Sequence, residues 1–133
     1  MKKDIILCGV GGDGIVSVAK IISDAALNLG MNVKQSEIHG MSQRGGSVFS
    51  HLRISSEPIF ADVIPEGKAD IILSSEPMEA LRYLPFLAPD GCVITNSDPF
   101  INITNLFLSL CIIIPKCPQP AINFGQWRLE IEL

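Results

Sequence analysis

With 133 residues and 14.4 kDa, 47% of the residues hydrophobic, the chain supports one domain with a real core and is too short for two. Its 10 basic residues against 14 acidic ones give a net charge of -4 and a pI near 5.0; the basic residues are scattered, so nothing is left to neutralise a phosphate backbone and nucleic acid is excluded as a partner. The most apolar stretch, residues 106–114, stops at Pro115, far short of the roughly 20 residues a membrane-crossing helix requires.

The N-terminal apolar run, residues 5–10, breaks straight into glycines without a signal peptide's cleavage site, which predicts a cytoplasmic protein with no membrane partner. Residues 4–8 (Asp-Ile-Ile-Leu-Cys) form a short apolar segment closed by glycine, the pattern of a strand buried on both faces in a parallel sheet. From 15 to 29, apolar residues fall at 15, 18, 19, 22, 25, 26 and 29, the series of one helical face, and Gly30 supplies the stop. Residues 31–37 read as a second strand, so the three segments predict a right-handed βαβ unit with its two strands adjacent and parallel.

A polar, glycine-bearing loop spans 39–46. After it, residues 47–54 carry Val48, Leu52 and Ile54 on one side and His51 and Arg53 on the other, predicting a strand with one wetter face. Residues 70–74 form another strand. Pro77 then opens a helix with Met78, Leu81, Leu84 and Leu87 on one stripe, ended by Pro89-Asp90-Gly91. Residues 92–95 make the next strand, and Asn96-Ser97-Asp98-Pro99 is a turn cluster at its end. The sum is an α/β fold, a Rossmann-like three-layer domain with a mainly parallel sheet, over residues 1–105. Residues 106–133, with prolines at 115, 118 and 120 and no periodicity, read as a tail and not a separate domain.

Two motifs carry candidate chemistry. Gly9-Val10-Gly11-Gly12-Asp13-Gly14 is a G-x-G-x-x-G placed where the first strand hands over to the first helix. In that context glycines permit a tight turn and close backbone approach to a phosphate at the helix N-terminus, which makes Gly9, Gly11, Gly12 and Gly14 the candidate cofactor-binding residues. The alternative is that they only let helix and strand pack closely. Glu37, at the end of the second strand, stands about where a ribose-binding acid sits in dinucleotide enzymes. Asp13 would repel phosphates if it turned into the loop, so it is expected to point to solvent.

The second motif joins Glu37, His39, Gln43, Arg44 and Gly45 in one polar loop. His39 can move a proton and Arg44 can clamp a carboxylate or phosphate, so these are the candidate ligand or subunit-contact residues; a loop fixed by its own hydrogen bonds is the alternative. His51 and Arg53 have no identifiable partner acid and read as a solvated or interface face. Asp24, Asp62, Asp70 and Asp98 read as caps, turns or surface residues. No Ser/His/Asp or Cys/His nucleophile arrangement is visible, so no catalytic residue is named. Cys8, Cys92, Cys111 and Cys117 include no C-x-x-C, which argues against an iron–sulfur cluster or any metal on this chain. Gly12-Asp13-Gly14 is similar to the opening of a thiamine diphosphate motif, but Asn28 and Asn32 come too early to close it.

The glycine motif ahead of a long helix, then Ser36-Glu-Ile-His-Gly-Met-Ser-Gln-Arg-Gly-Gly-Ser-Val48 and Ser50-His-Leu-Arg53, resemble the gamma domain of pyruvate and ketoacid ferredoxin oxidoreductases, nearest to its indolepyruvate branch. The resemblance runs from about Lys3 to Ile103 and includes the Ser75-Glu76-Pro77 helix start. It implies the small subunit of a complex that oxidatively decarboxylates an aryl or branched 2-oxoacid, joins the acyl group to the co-substrate coenzyme A and passes electrons to ferredoxin. It also implies that thiamine diphosphate, magnesium and 4Fe–4S clusters sit on a larger partner subunit, and that this chain is inactive alone. Two departures stand out: Asp13 occupies a position usually held by glutamine, and the family's subunit continues further in helical segments, so a truncated or divergent end is expected. A free-standing NAD(P)-binding dehydrogenase or a non-catalytic Rossmann-like binding module would use the same glycine turn.

Overall fold

Every residue from Asp4 to Val10 is buried, and a strand with no exposed side needs cover on both faces of its sheet. A computed structural model describes residues 1–38 and 45–97 of the chain and supplies that cover. The strands are β1 (Lys2–Val10), β2 (Asn32–Ile38), β3 (Ser47–Ser55), β4 (Ala69–Ser74) and β5 (Leu87–Thr95); the helices are α1 (Ile15–Asn28) and α2 (Pro77–Arg82). They form a 5-stranded sheet in the order β2-β3-β1-β4-β5.

Strands β1, β4 and β5 pair in parallel, β3 runs antiparallel to β1, and β2 runs antiparallel to β3. All strands but β3 therefore share one direction, in a mixed sheet of two parallel and two antiparallel pairings with β1 at its centre. Alternate residues of β1 serve opposite layers. Ile5 and Leu7 pack with Ile15, Ala19 and Ala26 of α1, whereas Ile6 and Cys8 pack with Ala80 of α2 and Tyr83. The result is the three-layer α/β domain that the hydrophobic periodicity predicts. Gly30, at φ 74 and donating to Leu27, ends α1 where expected, with Leu29 as the capping residue.

Three expectations need correction. Strands β1 and β2 share a direction but are not neighbours, because β3 pairs with both. The second face of β3 is not wet: an internal strand is covered on both sides, and here His51 is 3% exposed, edge-on to Phe49 and Phe86 at ring distances of 5.3 and 5.6 Å. Helix α2 stops at Arg82, followed by a 3-10 turn, Leu84–Phe86, because Pro85 has no N–H for the Leu81 carbonyl and its ring collides with that turn. Leu87 and Pro89-Asp90-Gly91 accordingly belong to β5, where the register with β4 shifts between Ala69 and Ile71. The readings of residues 39–44, Asp98, Pro99 and the 106–133 tail lie outside the described residues. Among those described, no helix is long and apolar enough to cross a membrane.

Candidate functional site at the C-terminal sheet edge

The chain leaves β1 at Val10 and reverses into α1 through residues 11–14. Gly12 (φ 113) and Gly14 (φ 80) hold backbone conformations that a β-carbon resists, and a β-carbon on either would find nothing within 4 Å. Gly14 caps α1 without a side-chain hydrogen bond, and no acidic residue stands in the first turn. The positive end of α1 is thus left uncovered by its own first turn, an arrangement that takes anions.

Gly9 has a different role. A β-carbon there would lie 2.0 Å from Ser75 Oγ and 3.0 Å from Ile15 Cγ1, so this glycine answers to close packing. Gly11 ties the turn to the second motif: its N–H donates to the Gly46 carbonyl at 2.8 Å and its carbonyl accepts from the Gly45 N–H at 3.1 Å. The described end of the 39–46 loop therefore sits against the glycine turn, brought there by antiparallel β3. Asp13 is exposed, as expected, and its carboxylate accepts the Ser75 hydroxyl at 2.6 Å.

Glu37 is not brought to the glycine turn. It opposes Ser50 of β3, which opposes Leu7 of β1, so it stands two strand spacings, roughly 10 Å, from β1. A dinucleotide fingerprint needs the acid on the strand next to β1. The side chain also accepts a hydrogen bond from Gln35 Nε2. This geometry does not fit the dehydrogenase reading. His39, Gln43 and Arg44 lie outside the described residues.

Sequence reasoning missed a buried polar cluster on the α2 side of the same edge. Glu76 caps α2 by accepting the Glu79 N–H at 2.8 Å, and Ser74 Oγ both donates to the Glu76 carbonyl at 2.6 Å and accepts its N–H at 3.2 Å. The Glu79 carboxylate takes the Ser47 hydroxyl and Arg82 Nε, the latter at 3.2 Å. Tyr83 Oη lies 3.3 Å from Ser47 Oγ. The available signal was Ser75-Glu76-Pro77, an acceptor followed by proline at a helix start. Burial pushes the Tyr83 hydroxyl up, against the Ser47 hydrogen bond. Burial also pushes the Cys8 thiol up to about 12, opposed by Ser74 and reinforced by Glu79 and Glu76.

Also missed was the partner of Arg53. Arg53 Nε donates to Asp4 Oδ1 at 2.8 Å and a second nitrogen to Oδ2 at 3.2 Å, across the β1–β3 pair. Among the described residues no three His, Cys, Asp or Glu side chains gather as a metal site.

A glycine turn, an uncovered helix N-terminus and a second loop bonded to that turn, all at the edge of the sheet where β1 and β4 end, define a Rossmann-like α/β domain with an edge site. The family model for pyruvate ferredoxin/flavodoxin oxidoreductase matches residues 4–126, and the chain belongs to this family. It is similar to the indolepyruvate oxidoreductase subunit IorB of Thermococcus kodakarensis, 49% identical over 96 residues that cover 72% of this chain and 47% of the relative. The corresponding subunit of Methanothermobacter thermautotrophicus is 46% identical over 74% of this chain and 49% of its own. The chain thus spans about half the length of the curated relatives it matches. Among solved structures, the gamma subunit of a keto/oxoacid ferredoxin oxidoreductase from Geobacter sulfurreducens superposes with a TM-score of 0.61 at 26% identity, covering 74% of this chain and 53% of that one.

Proposed function

We propose that this chain is the small subunit of a ferredoxin-dependent 2-oxoacid oxidoreductase of the indolepyruvate type, acting in the cytoplasm. The observation that carries the reading is the 49% identity to an indolepyruvate oxidoreductase subunit over a stretch of 96 residues. In this reading a larger subunit holds thiamine diphosphate, magnesium and 4Fe–4S clusters, decarboxylates an arylpyruvate and delivers electrons to ferredoxin. The acyl group leaves on coenzyme A.

This chain's share is positional. The open turn at Gly12 and Gly14, with the α1 N-terminus behind it, suits a phosphate of coenzyme A; Gly9 and Gly11 shape that turn. Glu37 near the end of β2, with His39, Gln43, Arg44 and Gly45 in the loop that follows, is the stretch that meets the partner subunit or the ligand. The test is co-expression with the large subunit, followed by coenzyme A-dependent reduction of viologen or ferredoxin by indolepyruvate. Activity in the co-purified complex and none in either subunit alone is expected. A large subunit fully active without this chain, or failing to bind it, overturns the proposal.

A further inference from the structure

Among the described residues, backbone alone holds Gly45 and Gly46 to the glycine turn: the N–H of Gly11 and the N–H of Gly45 supply two hydrogen bonds at 2.8 and 3.1 Å, and Gly45 (φ 80) has no neighbour within 4 Å of where a β-carbon would stand. Ser47 is the next side chain along, the first of β3. Its hydroxyl donates to Glu79 and lies 3.3 Å from Tyr83 Oη. A carboxylate only 8% exposed is costly to keep unless its bonds are used, and a hydroxyl bound to an ionised acceptor is held about twice as strongly as in a neutral pair.

Glu79 is itself fixed from two directions. Its N–H is bound by Glu76, which Ser74 ties to the end of β4, and its carboxylate is braced by Arg82 Nε at 3.2 Å and an Arg82 terminal nitrogen at 3.4 Å. A path made of these hydrogen bonds and the Gly46–Ser47 peptide link therefore runs from α2, on one face of the sheet, through Ser47 to Gly11, where the turn into α1 on the other face begins.

We infer that Glu79 is a positioning residue: by gripping Ser47 it holds Gly45 and Gly46 against Gly11 and sets the shape of the Gly12–Asp13–Gly14 turn that receives the phosphate-bearing co-substrate. The inference deepens the proposed function and rests on its reading of that turn.

The test compares Ser47→Ala, Glu79→Ala, Glu79→Gln and Gly12→Ala in the reconstituted complex, with amide hydrogen exchange on the full chain. Glutamine keeps an oxygen acceptor for Ser47, so it separates geometry from charge. Loss of the grip in Ser47→Ala or Glu79→Ala should raise the KM for coenzyme A about tenfold, the low end for a charge-assisted hydrogen bond, with kcat within about twofold. The Gly11 and Gly45 amides should exchange faster by about the same factor, and Glu79→Gln should restore both readouts. Unchanged KM and exchange in Ser47→Ala, or kcat and KM falling together with the melting temperature, overturns the inference; Ser47→Ala decides it even if Glu79→Ala does not fold. If Gly12→Ala raises the KM while the Ser47 and Glu79 variants do not, the positioning role falls and the turn's role stands. If Gly12→Ala also leaves the KM unchanged, both fall.

Discussion

At the scale of single residues, strand register decides which buried charges find a partner. Arg53 was legible in sequence as a lone cation because its partner, Asp4, opens an apolar run and looks like the first residue of a strand. Only the antiparallel register, Asp4 opposite Arg53, reveals the pair. The two side chains are 3% and 11% exposed, and Arg53 also donates to the Ala61 and Val63 carbonyls at 3.1 and 3.2 Å. Arg53→Met leaves Asp4 buried and reliant on Lys2, so it should cost about 3 kcal/mol in urea unfolding. His51 gives a pH prediction. Its Nδ1 accepts the Ile64 N–H at 3.3 Å, and burial lowers its pKa from 6.5, opposed by Asp62 and aided by Arg53. Above 6.5 the ring is neutral in both folded and unfolded chains. As the pH falls below that value the unfolded chain takes up a proton first, so stability declines with acid. Unfolding midpoints measured between about pH 7.5 and 5.5 should fall more steeply in the wild type than in His51→Phe, which lacks this proton; parallel slopes would exclude His51 as the source. Asp13 supplies the third prediction at this scale: its carboxylate, held by Ser75 beside the turn, opposes an incoming phosphate. Asp13→Gln should lower the KM for coenzyme A in the complex by a few-fold, consistent with removing one partly screened charge, and an unchanged or raised KM would place the phosphate elsewhere.

At the scale of elements, what could be read in advance was whatever local periodicity determines. Helix α1 was legible because its apolar positions follow one face and Gly30 ends it, and β1 because a run buried on both sides has no polar alternation. The end of α2 was not, since the apolar spacing of Leu81, Leu84 and Leu87 continues past the proline that stops the helix. The Pro89-Asp90-Gly91 cluster looked like a turn for a related reason: its residue types are those of turns, yet they occupy a strand where the register slips. Gly91 is there because the chain passes close to its neighbours. A β-carbon on it would lie 2.6 Å from Leu87 Cδ1 and 2.8 Å from the Ala69 carbonyl oxygen. The carbonyl is backbone and cannot rotate away, so Gly91→Ala should destabilise the fold by roughly 1 to 3 kcal/mol, the cost of overpacking. Thermal denaturation of the purified variant checks this, and a melting temperature equal to the wild type's would mean that β5 relaxes freely at the bulge.

At the scale of the whole molecule, strand order decides which side chains reach the glycine turn, and strand order is what a single sequence conceals. The chain runs β1, α1, β2 in a pattern that fits a dinucleotide-binding unit, with Glu37 in the place of the ribose acid. Nothing in residues 47–55 announces that this strand will insert between the other two, because an internal antiparallel strand and an edge strand can share the same alternation. Once β3 pairs with both β1 and β2, the acid is displaced by one strand spacing, about 4.8 Å, beyond its position in a dinucleotide site. Gly9 and Val10 face Val48 and Ser47 where a dinucleotide enzyme would present the second parallel strand. A ligand bound by its phosphate at Gly12 and Gly14 would then have β3 beside β1, a strand with no acid in Ser47–Ser55, where a nicotinamide dinucleotide requires a carboxylate for its ribose. The purified chain, or its complex with the large subunit, should therefore leave the fluorescence of NADH and NADPH unchanged at up to roughly millimolar concentration, weaker than about 4 kcal/mol of binding. Saturable binding of either nucleotide, abolished by Glu37→Ala, would show that the acid reaches the turn after all and would restore the dehydrogenase reading.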